Sequence, residues 1–266
     1  AIDDPALEDW TYDKFVDVCQ KLTDSSKDQW GFAWSANAEL APEVWTYCYM
    51  YQQGVDPINK TGDGAGFDNE AGLAGFKFMN DMVNTYKFIP EQGLSRNFQE
   101  YFYTGKAAIC PFDCYQAVAL AMDYPELNVG AVTWPQGPAT DFLGGRGHHA
   151  NVGYWLMSEN CKNKDVAFEP IKSLTAKENA EAYQNTMGLY GCRKDYEMDI
   201  EHELAAELFE EHYKSALEYG NPFKLNAKWF DVMPVFTSEI QFMLQEQKTP
   251  EQAWQDAVDA VNGVFE

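Results

Sequence analysis

The residues best suited to chemistry lie in the stretch Phe102–Tyr115, where a short apolar run, Ala107 to Cys110, stops at Pro111 and leaves Asp113 and Tyr115 just beyond it. Gly105 breaks the helix before that run, the run itself has the composition of a buried strand, and a second helix opens near Gln116. In an open α/β sheet, ligands settle in the crevice beyond the carboxyl ends of the strands, which makes Asp113 and Tyr115 candidate binding residues. The same strand-end logic adds Trp34, at the end of Trp30–Ser35, and Asn151 and Tyr154, an amide and a ring near the start of the predicted strand Asn151–Ser158. Trp45 joins them from the helix Glu39–Gln53, whose Trp45, Tyr47, Tyr49 and Tyr51 point to every face and so predict one or two rings outside the core. Structural alternatives stand beside these roles: Tyr154 and Trp45 are as readily core residues, and Asp113 is a natural cap for the helix at Gln116.

Other chemistries find less support. Asn59–Glu70 places Asp63, Gly64 and Glu70 at the fifth, sixth and twelfth positions of a calcium loop, but Asn59 and Thr61 stand where strong sites carry acids, and a hairpin-like surface loop fits better. His202-Glu203 opens a zincin motif that fails at Ala206, where the second histidine must be. Gly144 to His149 is glycine-rich but has no Walker lysine and serine. His148 and His149 are adjacent, so on a strand they point in opposite directions. Six cysteines show no CxxC pair and no zinc spacing; Cys110 and Cys114 are four apart across a proline, where geometry allows a bridge, and read better as two buried thiols. No catalytic residue, metal or cofactor is expected.

Helices and strands alternate along the chain. Helical spacing runs through Phe15, Val18, Cys19 and Leu22, and again over Asn69–Tyr86 with Leu73, Phe76, Met79 and Val83 on one face. Gln116–Met122, Lys164–Thr175, Ala176–Met187 closed by Gly188, and the acidic Glu201–Tyr219 are further helices. Gly220-Asn221-Pro222 breaks the last of these; Trp229–Phe236 introduces a helix running to Gln247, and Pro250–Val261 follows with Thr249 as N-cap. Asn128 to Thr133 alternates as a strand that Trp134-Pro135 turns. At 266 residues the chain is long enough for one large domain or two, and an apolar fraction of 45% excludes a disordered one. A formal charge of −23 disfavours nucleic acid and anionic lipid as partners. No run approaches the ~18 apolar residues of a membrane span, and Ala1 to Pro5 is no signal peptide.

Five segments, in order, carry a family resemblance. Phe102-Tyr103-Thr104-Gly105-Lys106-Ala107-Ala108 leading into the strand that ends near Tyr115 is similar to a stretch of the extracellular solute-binding proteins of ABC importers, in the branch that binds sugars and oligosaccharides. Trp10 to Thr23, Leu127 to Pro135, Gly153 to Ala167 and Thr249 to Asn262 resemble further segments of that family. The resemblance implies an α/β, periplasmic-binding-protein-like (type II) two-lobed fold, here mainly the second lobe plus two helices of the first. Residues 1–150 would form most of the second lobe, 151–195 the crossing strand and first-lobe helices, and 196–266 the return to the second lobe. On the same pattern Tyr115 matches an aromatic that stacks on sugar, and Trp229 lies in a segment that often supplies another. The chain begins where the family's first crossing ends, which implies a processed or cut form. The apolar faces within 164–187 would then be covered by a first-lobe segment or by another chain.

The implied function is binding of a carbohydrate, in particular an oligosaccharide, outside the cell or in the periplasm. The ligand would be handed to ABC permease subunits by a protein that is lipid-anchored in its full-length form. A secreted glycoside hydrolase is the alternative that the acidic, aromatic-rich composition permits. It needs two carboxylates across the scissile bond, ~5–10 Å apart, and Asp113 has no evident partner because the acids of Glu201–Glu211 lie on a solvated helix face.

Overall fold

Local chemistry sets the helix ends in the computed structural model, which describes residues 10–35, 43–90, 98–150, 155–191, 193–197, 199–222 and 226–266. The first helix, α1 (Tyr12–Leu22), opens at Thr11, whose hydroxyl accepts from the Lys14 N–H. Strand β1 (Trp30–Phe32), α2 (Glu43–Gln52) and α3 (Glu70–Asn80) follow, and α3 runs into a π turn, Asp81–Thr85. Helix α4 (Phe98–Tyr103) leads to β2 (Ala107–Ile109), α5 (Cys114–Asp123) and β3 (His148–Ala150). Then come α6 (Lys164–Thr175), α7 (Lys177–Met187), α8 (Glu203–Tyr219), β4 (Gly220–Pro222), α9 (Trp229–Leu244) and α10 (Pro250–Phe265). Thr249 and Gln252 close a capping box at the start of α10, with Pro250 in its first turn, as the sequence leads one to expect.

The chain divides into two units. The larger comprises Ile2–Pro111, Thr133–Ala150 and Ala216–Glu266; the smaller contains Phe112–Val132 and Asn151–Ser215. These boundaries differ from the expected 1–150, 151–195 and 196–266: α5 groups with α6 and α7, and the return to the larger unit falls inside α8.

In the larger unit β1 and β2 pair in parallel, Trp30 opposite Ala107 and Phe32 opposite Ile109, and the Ala33 N–H extends the pairing to the Ile109 carbonyl at 2.9 Å. A second parallel pair joins β3 to β4, with His148 opposite Gly220. The sequence reads Gly220-Asn221-Pro222 only as a breaker. It is a strand because it pairs with β3, a partner far away in sequence, and residue 220 is glycine because a side chain there would meet the Ala216 carbonyl at 2.3 Å. Conversely, 128–133 alternates but forms no strand. With no partner strand, its neighbourhood is held by loop bonds: the Trp10 indole donates to the Thr133 carbonyl (3.0 Å), and Gln136 exchanges bonds with Trp10 and Tyr12. Residues 151–154 of the other expected strand lie outside the described residues, and 155–158 are exposed and irregular.

Helices α9, α10, α3 and α2 build the core. Along α9 the buried side chains Trp229, Val232, Phe236, Ile240 and Met243 recur at helical spacing, and Trp229 belongs to its first turn instead of preceding it. The π turn shifts the buried face of α3 from Val83 to Met82, leaving Leu73 and Val83 half-buried beside Phe76 and Met79. Helix α2 is enclosed by β3, α3 and α9, so Tyr47, Tyr49 and Tyr51 are all core and Trp45 alone among its four rings is half-buried. A helix apolar on every face is a buried helix. The loop after α2 is the hairpin-like surface turn expected: Ile58 bridges Ala65, and Asn59 Oδ1 accepts from Thr61, Gly62 and Asp63.

In the smaller unit, α7 ends at Gly188 in the left-handed conformation (φ 64°), where the glycine lets the helix end pack against the first turn of α5. A Cβ there would sit 2.7 Å from Val118 Cγ2 and 3.4 Å from the Cys114 carbonyl. Gly188→Ala is expected to cost about 1–2 kcal/mol for the conformation alone, plus the Val118 contact, read as a fall in the urea midpoint.

Candidate ligand-binding site

The carboxyl ends of β1 and β2 carry the larger unit's share of the candidate residues. Past Phe32 the chain continues through Ala33, Trp34 and Ser35, all buried, and past Ile109 through Cys110 and Pro111. Ala33, Ala107 and Phe98 form a small apolar cluster against which Trp45, Tyr101 and Cys110 pack. The Trp45 ring lies 6.3 Å from Phe98, near-perpendicular, and 6.4 Å from Trp134, tilted by 35°. Trp45 and Trp134 are both half-buried, so this pair of indoles retains exposed surface.

Trp34 and Trp229 do not. Trp34 has no exposed surface and meets Tyr49 edge-on at 5.5 Å; Trp229 is 5% exposed and meets Tyr47 at 5.4 Å. Both pack as core rings in this structure, with little or no surface open to a ligand. Trp134 is the ring that sequence reasoning passed over as part of a turn. Its signal was an apolar run stopped by a proline, the arrangement that drew attention to Cys110-Pro111, here with an aromatic residue at the stop.

Asp113 and Tyr115 belong to the smaller unit. Asp113 is the N-cap residue of α5, extended (φ −88°, ψ 159°), and its N–H donates to Gln116 Oε1 at 2.7 Å. The capping alternative is therefore realised, and it leaves the carboxyl half-buried. Loss of hydration pushes that carboxyl up to about 6, against a hydrogen bond from Tyr115 that works to lower it. Tyr115, in the first turn of α5, is 46% exposed. Asp113 is thus a poorly hydrated acceptor beside an accessible ring. Asn151 and Tyr154 lie outside the described residues.

Neighbouring groups are kept neutral by burial, which pushes the Cys114 thiol up to about 11 and His212 down to about 4. Cys19, Cys48, Cys110, Cys114 and Cys161 are free thiols. Among the described residues no three His, Cys, Asp or Glu side chains come together as metal ligands, and no helix is long and apolar enough to cross a membrane.

Parallel strand pairs flanked by helices make this an α/β protein, with a fold of the periplasmic-binding-protein-like class. The sequence profile of the bacterial extracellular solute-binding proteins matches residues 2–209, and the chain belongs to that family. Among solved structures it is similar to T. maritima MalE3 with maltose bound (21% identity, TM-score 0.78, covering 96% of this chain and 65% of that one). It is likewise similar to an ABC substrate-binding protein from Listeria monocytogenes in complex with cycloalternan (17%, TM-score 0.77, 97% and 64%). A third is the maltose/maltodextrin-binding domain MalE from Bdellovibrio bacteriovorus bound to maltotriose (17%, TM-score 0.76, 95% and 66%). The chain therefore spans 64–66% of the length of these three proteins. No curated protein matches it.

Proposed function

We propose that this chain binds a carbohydrate, in particular an oligosaccharide, for delivery to the permease subunits of an ABC importer, from an extracellular or periplasmic position and through a lipid-anchored full-length form. The observation that carries this reading is Tyr115, an accessible ring in the first turn of α5, beside the half-buried carboxyl of Asp113. Trp45 and Trp134 add half-buried aromatic surface at the strand ends of the larger unit. The sugars held by the three solved proteins support the ligand class, and family membership supports the extracellular setting. A hydrolase would need a second carboxylate acting on Asp113, whereas burial is the cause of its upward shift, against the Tyr115 hydrogen bond.

The same reading includes a covering partner for α6 and α7, whether a further segment or another chain. Val166 is 71% exposed, and Phe168, Leu174 and Tyr183 are also exposed on these two helices.

A thermal-shift panel of mono- and oligosaccharides tests the assignment, because a ligand bound only by the native state raises the melting temperature. Stabilisation by one sugar class is the expected result; indifference to the whole panel would remove the sugar assignment. With the sugar in hand, Tyr115→Ala is expected to cost about 1–2 kcal/mol of stacking, a roughly 5- to 30-fold rise in Kd by calorimetry, with the melting temperature nearly unchanged. An unchanged Kd would take Tyr115 out of the site.

A further inference from the structure

Asp113 sits between two residues that are both held by one tyrosine. Tyr190 follows the Gly188 cap of α7; its carbonyl accepts from Gln184 Nε2 at 3.0 Å, and its ring packs on Phe209 (4.7 Å) and Tyr213 (5.0 Å) of α8. Its backbone N–H donates to the Cys114 sulfur. Its hydroxyl is hydrogen-bonded to Nδ1 of His212, and the His212 imidazole donates in turn to the Phe112 carbonyl. A neutral imidazole has one donor and one acceptor. The order that serves both bonds runs from the Tyr190 O–H to Nδ1 and from the remaining ring N–H to the Phe112 carbonyl. Burial, which holds His212 neutral, favours this pattern. Phe112 and Cys114, the residues flanking Asp113, are thus fixed from α7 and α8 by two separate routes.

We propose that Tyr190 and His212 are positioning residues for the candidate site: they fix the Phe112 carbonyl and the Cys114 side chain and thereby set how Asp113 and Tyr115 are presented to the ligand. The inference rests on the carbohydrate-binding reading above. A packing role alone would need the rings but not this donor and acceptor order, and that difference makes the inference testable.

The experiment compares the wild-type chain with Tyr190→Phe, which keeps the ring and loses the hydroxyl, His212→Leu, which loses both hydrogen bonds, and His212→Gln, which retains one acceptor and one donor. Two quantities are read: amide hydrogen exchange at 114–117 in the ligand-free protein, and the Kd for maltotriose. Tyr190→Phe and His212→Leu are expected to speed exchange in that turn by about tenfold, leaving the amides of α7 and α8 unchanged. Both should also raise Kd by roughly tenfold, the scale of one net hydrogen bond. His212→Gln should restore both quantities towards wild type. Exchange that is unaltered, or that rises evenly through α5, α7 and α8, or a Gln variant no better than Leu, would overturn the assignment. A wild-type chain that binds no sugar would overturn the carbohydrate reading and the ligand half of this proposal, while the exchange data would still decide whether Tyr190 and His212 hold the turn.

Discussion

Asp113→Asn is expected to stabilise the protein at pH 7.5 by about 2–3 kcal/mol and to leave it unchanged near pH 3.5. The folded-state carboxyl is raised to about 6 from its ordinary 3.8, so its contribution to stability is fully present below 3.8 and is lost as the pH rises through 6. Above 6 the carboxylate is ionised in both states and carries the whole cost of its poor hydration, at 1.36 kcal/mol per pKa unit. Asparagine is isosteric, uncharged and an equally good N-cap, so the start of α5 survives the change. Urea denaturation of both proteins at each pH measures the difference. His212 has the opposite linkage: its folded pKa is lowered to about 4, so its contribution is complete above 6.5 and is lost as the pH falls through 4. It affects both chains alike and cancels when they are compared at one pH. Equal stability of the two chains at pH 7.5 would mean that Asp113 is well hydrated. A stable Asn variant that binds ligand weakly would show that the site keeps an unfavourable charge for recognition.

Phe236→Ala is expected to have the largest effect of any single change considered, a loss of about 3–5 kcal/mol. The side chain has no exposed surface and its ring centre lies 5.1 Å from Tyr47, 5.1 Å from Phe67 and 5.7 Å from Phe76. It therefore joins α9 to α2, to α3 and to the turn before α3. Deleting the ring removes its transfer free energy and leaves a cavity that three large rings cannot readily collapse into. The urea midpoint should fall with the slope of the transition preserved. Phe230, in the first turn of the same helix, is 81% exposed, and Phe230→Ala should change stability by no more than about 0.5 kcal/mol. Similar losses from both variants would contradict the placement of α9.

The contrast between those two phenylalanines also shows what the sequence could and could not reveal. Helix ends were legible because capping is an exchange within four residues: Thr249 with Gln252, Asn69 with the Gly72 N–H, and Gly188 closing α7. The small strands β1 and β2 were legible as apolar runs, and Asp113 and Tyr115 as polar and aromatic residues stranded past a proline. Strand 128–133 misled because alternation says nothing about whether a partner exists, and β4 was hidden for the same reason. The tyrosines of α2 depended on how many neighbours would surround that helix. Whether Trp34, Trp45 or Trp229 retains a free face is likewise a property of the assembled core. Tyr190 and His212 carried no signal at all, since their bond joins the end of α7 to the middle of α8 and acts on Phe112, far earlier in the chain.

The two parallel pairings have a kinetic consequence. Trp30 meets Ala107, and His148 meets Gly220, across separations of roughly seventy residues, so each pairing must close a long loop before its contacts repay the lost chain entropy. Neither pair can serve as an early local nucleus. Folding should therefore be limited by the ordering of the intervening helices, with the strand ends against which Trp45 packs among the last features to form, so that binding competence should appear later in refolding than helical content.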